Sequence, residues 1–170
     1  MLAPLRLADL HWGAGRIAAL FLFSAGAQAL INPLLGRWSD RRGAHLPLQF
    51  GLALSAAGSL ALAANTGRWS YGAIAFCANM AFGLSVTPGI TLLSDAATRL
   101  QLEFAAGFAI MNLAWPPGQL IGAAGGGLVA EASSDSVVWV LTAALCLVGL
   151  AAIAFPKRSP NVVDTPSALH

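Results

Sequence analysis

The stretch Gly36-Arg37-Trp38-Ser39-Asp40-Arg41-Arg42-Gly43 decides how the rest of this chain is interpreted. It places three arginines and one aspartate within eight residues, between two long apolar runs. Charged side chains at this density are too costly to bury in hydrocarbon. The stretch is therefore predicted to be a loop at a membrane surface, and its positive charge bears on which surface that is.

The composition agrees with a membrane protein. The chain has 170 residues, of which 57% are hydrophobic and only 9% charged, and its mean hydropathy is +0.71. Soluble domains carry about 25% charged residues, so this chain lacks the polar coat of a globular protein in water. The net charge is only +2 and no basic stripe is present. A nucleic-acid partner is therefore not expected, and the first predicted partner is the lipid bilayer.

Five apolar runs are long enough to cross a bilayer, which takes roughly 20 residues of helix. None of them contains Asp, Glu, Lys or Arg, and they are rich in Ala, Leu and Gly rather than alternating as barrel strands would. The sequence predicts an all-α membrane protein with transmembrane helices at about 17–35, 46–64, 69–93, 104–130 and 137–155.

The segments outside these spans complete the predicted organisation. Residues 1–16 are expected to form an external N-terminal segment, and the five helices form a single transmembrane domain over 17–155. The tail 156–170, with prolines among Asn, Ser and Asp, is predicted to be disordered and cytoplasmic. A cleaved signal peptide is not favoured for the first run, because Asp9 and His11 accompany Arg6 and no small-residue cleavage site follows.

The placement of lysine and arginine predicts the orientation. Six of these residues fall on one side of the membrane and three on the other, and cytoplasmic loops carry the excess. The six are Arg37, Arg41, Arg42, Arg99, Lys157 and Arg158, and the three are Arg6, Arg16 and Arg68. The chain is expected in a plasma membrane, the inner membrane if bacterial, with its N-terminus outside and its C-terminus in the cytoplasm.

The charged stretch resembles the cytoplasmic loop motif of the major facilitator superfamily, Gly-x-Leu-Ala/Ser-Asp-Arg-x-Gly-Arg/Lys-Arg/Lys. The positions that match are Gly36, Ser39, Asp40, Arg41 and Gly43. Trp38 stands in place of leucine, and Ala44 and His45 replace the two basic residues. The resemblance implies a conformational-switch loop built on Gly36, Asp40, Arg41 and Gly43. The alternative is a stop-transfer loop whose arginines only set topology.

A second resemblance lies in the fourth predicted span. The matching residues of the pattern Gly-x-x-x-Gly-Pro-x-x-Gly-Gly are Gly118, Gly122, Gly126 and Gly127. Ala123 stands where the pattern has proline, which puts the antiport that this pattern accompanies in doubt. The alternative is ordinary packing of small residues between helices, and both interpretations make these four glycines helix-packing residues.

Together the resemblances imply the C-terminal portion of a major facilitator carrier, a partial half-bundle equivalent to helices eight to twelve. Helices two to six are the alternative mapping. The implied function is secondary transport of small solutes, with efflux as one direction, by alternating access between two halves. The chain would then need the missing N-terminal half or another chain as a partner. It would be a truncated product, a fragment with a mis-assigned start, or a half that pairs.

Polar side chains inside the spans are the candidates for lining a substrate cavity, since they are costly in lipid. They are Gln28, Asn32, Asn79, Asn112, Trp115 and Gln119. Hydrogen bonding between helices is the alternative use of such residues. Neighbouring prolines at 33, 88, 116 and 117 are expected to bend or break their helices.

The sequence offers no pattern typical of an enzyme. It contains no nucleophile–base pair, zinc-ligand spacing, haem motif or phosphate loop. No catalytic residue, cofactor or metal is therefore assigned, and the substrate itself is an unknown small molecule. The rival function is a small membrane scaffold or regulatory subunit that transports nothing.

Overall fold

The computed structural model describes residues 2–101 and 104–154, and every regular element within these two ranges is helical. The all-α prediction is confirmed. The helices are α1 (Leu2–Asp9), α2 (Ala14–Arg42), α3 (His45–Ala64), α4 (Arg68–Arg99), α5 (Phe104–Ala132) and α6 (Asp135–Ala154). The predicted disordered tail 156–170 lies outside the described residues.

Four of the described helices, α2, α3, α4 and α6, are long and apolar enough to cross a membrane. Helix α5 has 29 residues and coincides with the fourth predicted span, whose crossing stays a prediction. Before the first span, where an external segment was expected, α1 forms a short helix whose Leu7 is fully buried.

The charged stretch is not a loop over most of its length, and the prediction from the sequence was wrong on this point. Helix α2 continues through Gly36 to Arg42, and only Gly43 and Ala44 separate it from α3. The 29 residues of α2 span about 43 Å at 1.5 Å per residue, more than a hydrocarbon core about 30 Å thick. The charges therefore mark where the helix leaves the hydrocarbon, whereas Gly43 marks where it ends.

The other connections are short as well. Residues 65–67 join α3 to α4, as expected, and residues 133–134 join α5 to α6. Residues 95–99 lie between the third and fourth predicted spans, yet they are helical because α4 continues to Arg99. Helices α2, α4 and α5 also run unbroken through their prolines, at 33, 88, 116 and 117. None of these prolines ends its helix, so no break occurs at them, and the expected bends stay a prediction.

Helix α3 lies between α4 and α6, α2 packs on α4 and more lightly on α3, and α5 contacts α4 and α6 less extensively. Small residues allow the close crossing of α3 and α4. A Cβ atom added at Gly58 would lie 3.2 Å from the Cα of Ala78, and one at Gly51 would lie 3.2 Å from the backbone nitrogen of Ser85. Ser55 and Ser59 on α3 bond to carbonyls of their own helix. Together with the equally extensive contact between α3 and α6, this crossing forms the centre of the bundle.

Candidate substrate-facing site

Two of the predicted cavity residues, Gln28 and Asn79, bond α2 to α4 instead. The Gln28 Nε2 donates to the backbone oxygen of Asn79 at 3.1 Å, and the Asn79 Nδ2 donates to the Ser24 Oγ at 2.6 Å. Ser24 is fully buried. These contacts match the interhelical use of membrane Asn and Gln rather than contact with a solute.

Ser24 was not among the predicted polar candidates, although its position on α2 is a signal for it. Ser24 precedes Gln28 by four residues and therefore shares a helix face with it. On the other helix, Gly83 provides the space for the Gln28 side chain, since a Cβ at Gly83 would collide with it. The Gln28 side chain thus fills a shallow depression on the surface of α4.

Asn32 continues the same region one turn further along α2. Its Oδ1 atom is buried and has no hydrogen-bond partner among the described residues. The Ser85 hydroxyl, which lies against Gly51 on α3, is also buried and has no hydrogen-bond partner among the described residues. A buried oxygen without a donor is destabilising, so Asn32 is the one α2 candidate whose polar group is left unused within the described chain.

The three candidates on α5 are all exposed, and two of them face a cavity. Asn112 donates its Nδ2 to the Phe108 oxygen of its own helix at 3.0 Å. Trp115, 49% exposed, and Gln119 line a cavity of about 600 Å³ together with Leu93 of α4. Gln119 makes no hydrogen bond to any described residue. This wall combines an indole, an amide and aliphatic side chains.

The glycines of α5 do not all pack against the described helices. Gly126 is near α6, where an added Cβ would lie 3.7 Å from the Val138 Cγ1. At Gly118, Gly122 and Gly127 an added Cβ would meet no atom within 4 Å. Gly122 and Gly127 instead line, with Leu2 of α1 and Thr142 of α6, a cavity of about 330 Å³, and the role of these glycines in helix packing stays a prediction.

The basic end of α2 is open to solvent or lipid headgroups. Arg37, Arg41 and Arg42 are exposed and line an open cavity of about 660 Å³ with Leu34 and Trp38. Asp40 is exposed too, and within the described ranges it forms no ion pair. An added Cβ at Gly36 would meet nothing within 4 Å. The predicted switch role of these residues is not tested by their geometry.

Gly43 is the residue of this stretch whose conformation requires glycine. Its φ is 80° and its ψ 152°, a region that residues with a Cβ hardly ever adopt. Beside it, Trp38 packs edge-on against Phe50 of α3, with ring centroids 6.3 Å apart. The turn and this aromatic contact fix how α2 is joined to α3.

The opposite end of the bundle carries an aromatic and cationic cluster that the sequence analysis did not assemble. The rings of Trp12 and Trp69 lie 5.3 Å apart, and the guanidinium groups of Arg16 and Arg68 lie 5.9 and 5.6 Å from the Trp69 ring. Arg68 also donates to the His11 oxygen at 2.8 Å. Trp12 and Trp69, each close to the start of a predicted span, were the available signal.

The described residues contain no set of side chains suited to bind a metal ion. Within residues 2–101 and 104–154, no group of three or more His, Cys, Asp or Glu residues could hold an ion. The described helices are mostly long and apolar. Helix α5 carries a wall of polar and aromatic side chains, and each end of the bundle carries arginine and tryptophan.

These features define a polytopic helical membrane protein. The family model of the Major Facilitator Superfamily matches residues 1–168, and the chain belongs to this superfamily of transporters. No curated protein and no solved structure matches the chain.

Proposed function

We propose that this chain forms one wall of the substrate cavity of a secondary carrier for small solutes. The observation that carries the proposal is the cavity of about 600 Å³ at α5, where Trp115 and Gln119 present an indole face and an unpaired amide. Solute sites combine mostly apolar walls with a few polar groups in this way. Asn112 extends the same face by one turn.

A second body is needed to close this cavity. From Asn112 to Ala124 every residue of α5 is exposed, and lipid alone would be a poor neighbour for Asn112 and Gln119. We propose that a second half-bundle of the carrier, or another chain, covers this face and rocks against it in alternating access. The described helices then correspond to the C-terminal portion, helices eight to twelve, with α1 as the end of the helix before them.

The membrane and the direction of transport belong to the same proposal. The excess of arginine at the α2 end supports a cytoplasmic position for that end, in a plasma membrane such as a bacterial inner membrane. The glycines of α5 resemble those of antiporters, which supports solute export as the direction, although Ala123 departs from that pattern.

Accessibility to a charged thiol reagent tests the cavity without knowledge of the solute. Gln119→Cys, in a Cys77→Ala background because Cys77 is exposed whereas Cys146 is buried, is treated with a membrane-impermeant methanethiosulfonate in native membranes. We expect rapid modification, because a carrier cavity admits water. The matched control is Leu120→Cys, 70% exposed but about 100° around the helix, which we expect to resist modification in lipid.

The scaffold function gives a different result. If α5 packs permanently against lipid or a structural partner, Gln119→Cys reacts no faster than Leu120→Cys, and the carrier-cavity proposal fails. A flux measurement on Gln119→Ala in the complete carrier supplies the second test. We expect up to about a tenfold loss of transport efficiency from removing one hydrogen bond to the solute.

A further inference from the structure

A second cavity, separate from α5's polar wall, lies at the end of the bundle where α1 and α3 end and α4 and α6 begin. Its volume is about 320 Å³, at the small end of ligand sites. Its described walls include Arg6 and Asp9 of α1, Tyr71 of α4, and Asp135 and Trp139 of α6. The walls that the structure describes all come from this chain, and the cavity stays partly open to the outside.

Two hydrogen-bonding groups at its closed end are unpaired. The Tyr71 side chain is 2% exposed, and neither its hydroxyl nor the Trp139 Nε1 has a hydrogen-bond partner among the described residues. The indole nitrogen lies near that hydroxyl, yet the two do not make a hydrogen bond of accepted geometry. An indole N–H can only donate and the tyrosine hydroxyl has one proton to give, so both groups are placed to donate to an acceptor in this part of the cavity.

The outer part of the cavity carries charges of both signs. The Nε of Arg6 lies 4.0 Å from Oδ2 of Asp135, at the limit of an ion pair, and the two side chains are 39% and 32% exposed. Asp9 adds a second carboxylate, which is exposed. One guanidinium thus faces two carboxylates, and each group keeps hydrogen-bonding capacity to spare.

We propose that this cavity binds a small zwitterion that carries a carboxylate and an ammonium group. The ligand's carboxylate accepts hydrogen bonds from the Trp139 Nε1, the Tyr71 hydroxyl and the Arg6 guanidinium. Its ammonium group donates to Asp135 and Asp9. A simple anion would meet two carboxylates, whereas a simple cation would leave the indole N–H without an acceptor. The inference is independent of the substrate wall on α5.

Nuclear magnetic resonance of the tryptophan indoles tests the site directly. The chain, labelled with ¹⁵N-tryptophan and placed in lipid nanodiscs, contains five indole N–H groups, and Trp139→Phe identifies the signal of Trp139. We expect glycine to shift this signal saturably, with a dissociation constant on the order of millimolar for so small a ligand. The Trp38 signal is identified by the matched variant Trp38→Phe. Since Trp38 lies at the opposite end of the bundle from this cavity, its signal should not move.

Ligands that carry only one of the two charges separate the possible sites. Acetate and methylammonium should each bind at least about tenfold more weakly than glycine, since each loses charge-assisted hydrogen bonds. Acetate binding as tightly as glycine would mean an anion site and would overturn the proposal. So would a well-dispersed spectrum in which glycine leaves the Trp139 signal unmoved.

Two variants probe the named contacts. Arg6→Gln, at a partly exposed position that should tolerate the change, is expected to weaken glycine binding about tenfold. Tyr71→Phe should weaken it about threefold by removing a neutral donor. If Tyr71→Phe does not fold, Arg6→Gln still decides, because unchanged affinity in that variant would show that its guanidinium does not hold the carboxylate.

Discussion

At the scale of single residues, the polar side chains of the spans divide by whether this chain provides their partners. Gln28 and Asn79 have partners across the α2–α4 contact, and Ser24 completes the set. Trp115 and Gln119 instead face an open cavity. The sequence identified these side chains as unusual but could not separate the groups, because partner and cavity depend on which helices become neighbours.

The bond between Asn79 and Ser24 should be measurable as a coupling energy. We expect Asn79→Ala to lower the free energy of unfolding by about 1 kcal/mol, the usual size of a hydrogen bond between membrane helices. Unfolding by titration with sodium dodecyl sulfate in mixed micelles, followed by circular dichroism, measures it. In the cycle with Ser24→Ala, the double variant should lose less than the sum of the single losses. Strict additivity would contradict the bond.

At the scale of the helices, the close approach occurs where the sequence analysis did not expect it. Attention fell on the glycines of α5, yet within the described chain the tight crossing is between α3 and α4. The signal was present, since Gly51, Ser55 and Ser59 recur every four residues along α3. Small residues at this spacing indicate a packing face, but the sequence does not say which such face is used.

A pair of matched glycine substitutions distinguishes the two faces. Gly58→Ala should destabilise the bundle by about 1–3 kcal/mol, because the added methyl group meets the backbone of Ala78 and overpacks the crossing. Gly122→Ala should be neutral or slightly stabilising in the isolated chain, since alanine is the better helix former and nothing lies within 4 Å. Detergent-titration unfolding of both variants is the measurement, and equal losses would contradict this assignment.

The predicted helix boundaries were least accurate where charged residues continue a helix beyond the end of its apolar run. The first apolar run does end near Leu35, as predicted, but helix α2 continues for two more turns to Arg42. Arginine is a good helix former, and long cationic side chains extend readily into the interface. Hydropathy therefore located the edge of the hydrocarbon, whereas the backbone conformation of Gly43 ended the helix.

At the scale of the whole molecule, the described helices form a bundle centred on α3, with much exposed apolar surface. Leu113 is 80% exposed and Leu22 72%, which suits contact with lipid or with a further protein surface. The charges are sorted to the two ends: Arg37, Arg41 and Arg42 lie at one, and Arg16 and Arg68 at the other. This sorting is what the orientation proposal depends on.

Reporter fusions test that orientation. Green fluorescent protein fused after His170 should fluoresce, and alkaline phosphatase inserted in the turn at Gly67 should be active outside the cytoplasm. Replacing Arg37, Arg41 and Arg42 with glutamine leaves three cations on each predicted side. We expect a mixed population of orientations in that variant, because the charge bias that sets topology is gone. An inactive phosphatase at Gly67 in the parent chain would contradict the proposed orientation.

The sequence by itself determined that this is a helical membrane protein of the major facilitator type. Hydropathy, charge placement and the Gly36–Gly43 spacing are local properties, and lipid imposes helices on any apolar run of sufficient length. Only the tertiary structure shows which small residues meet between α3 and α4, that Asn79 donates a hydrogen bond to Ser24, and that Tyr71 and Trp139 line the same cavity. Those outcomes depend on which helices become neighbours, and residues 55 or 68 positions apart, as these pairs are, carry no local signal of their contact.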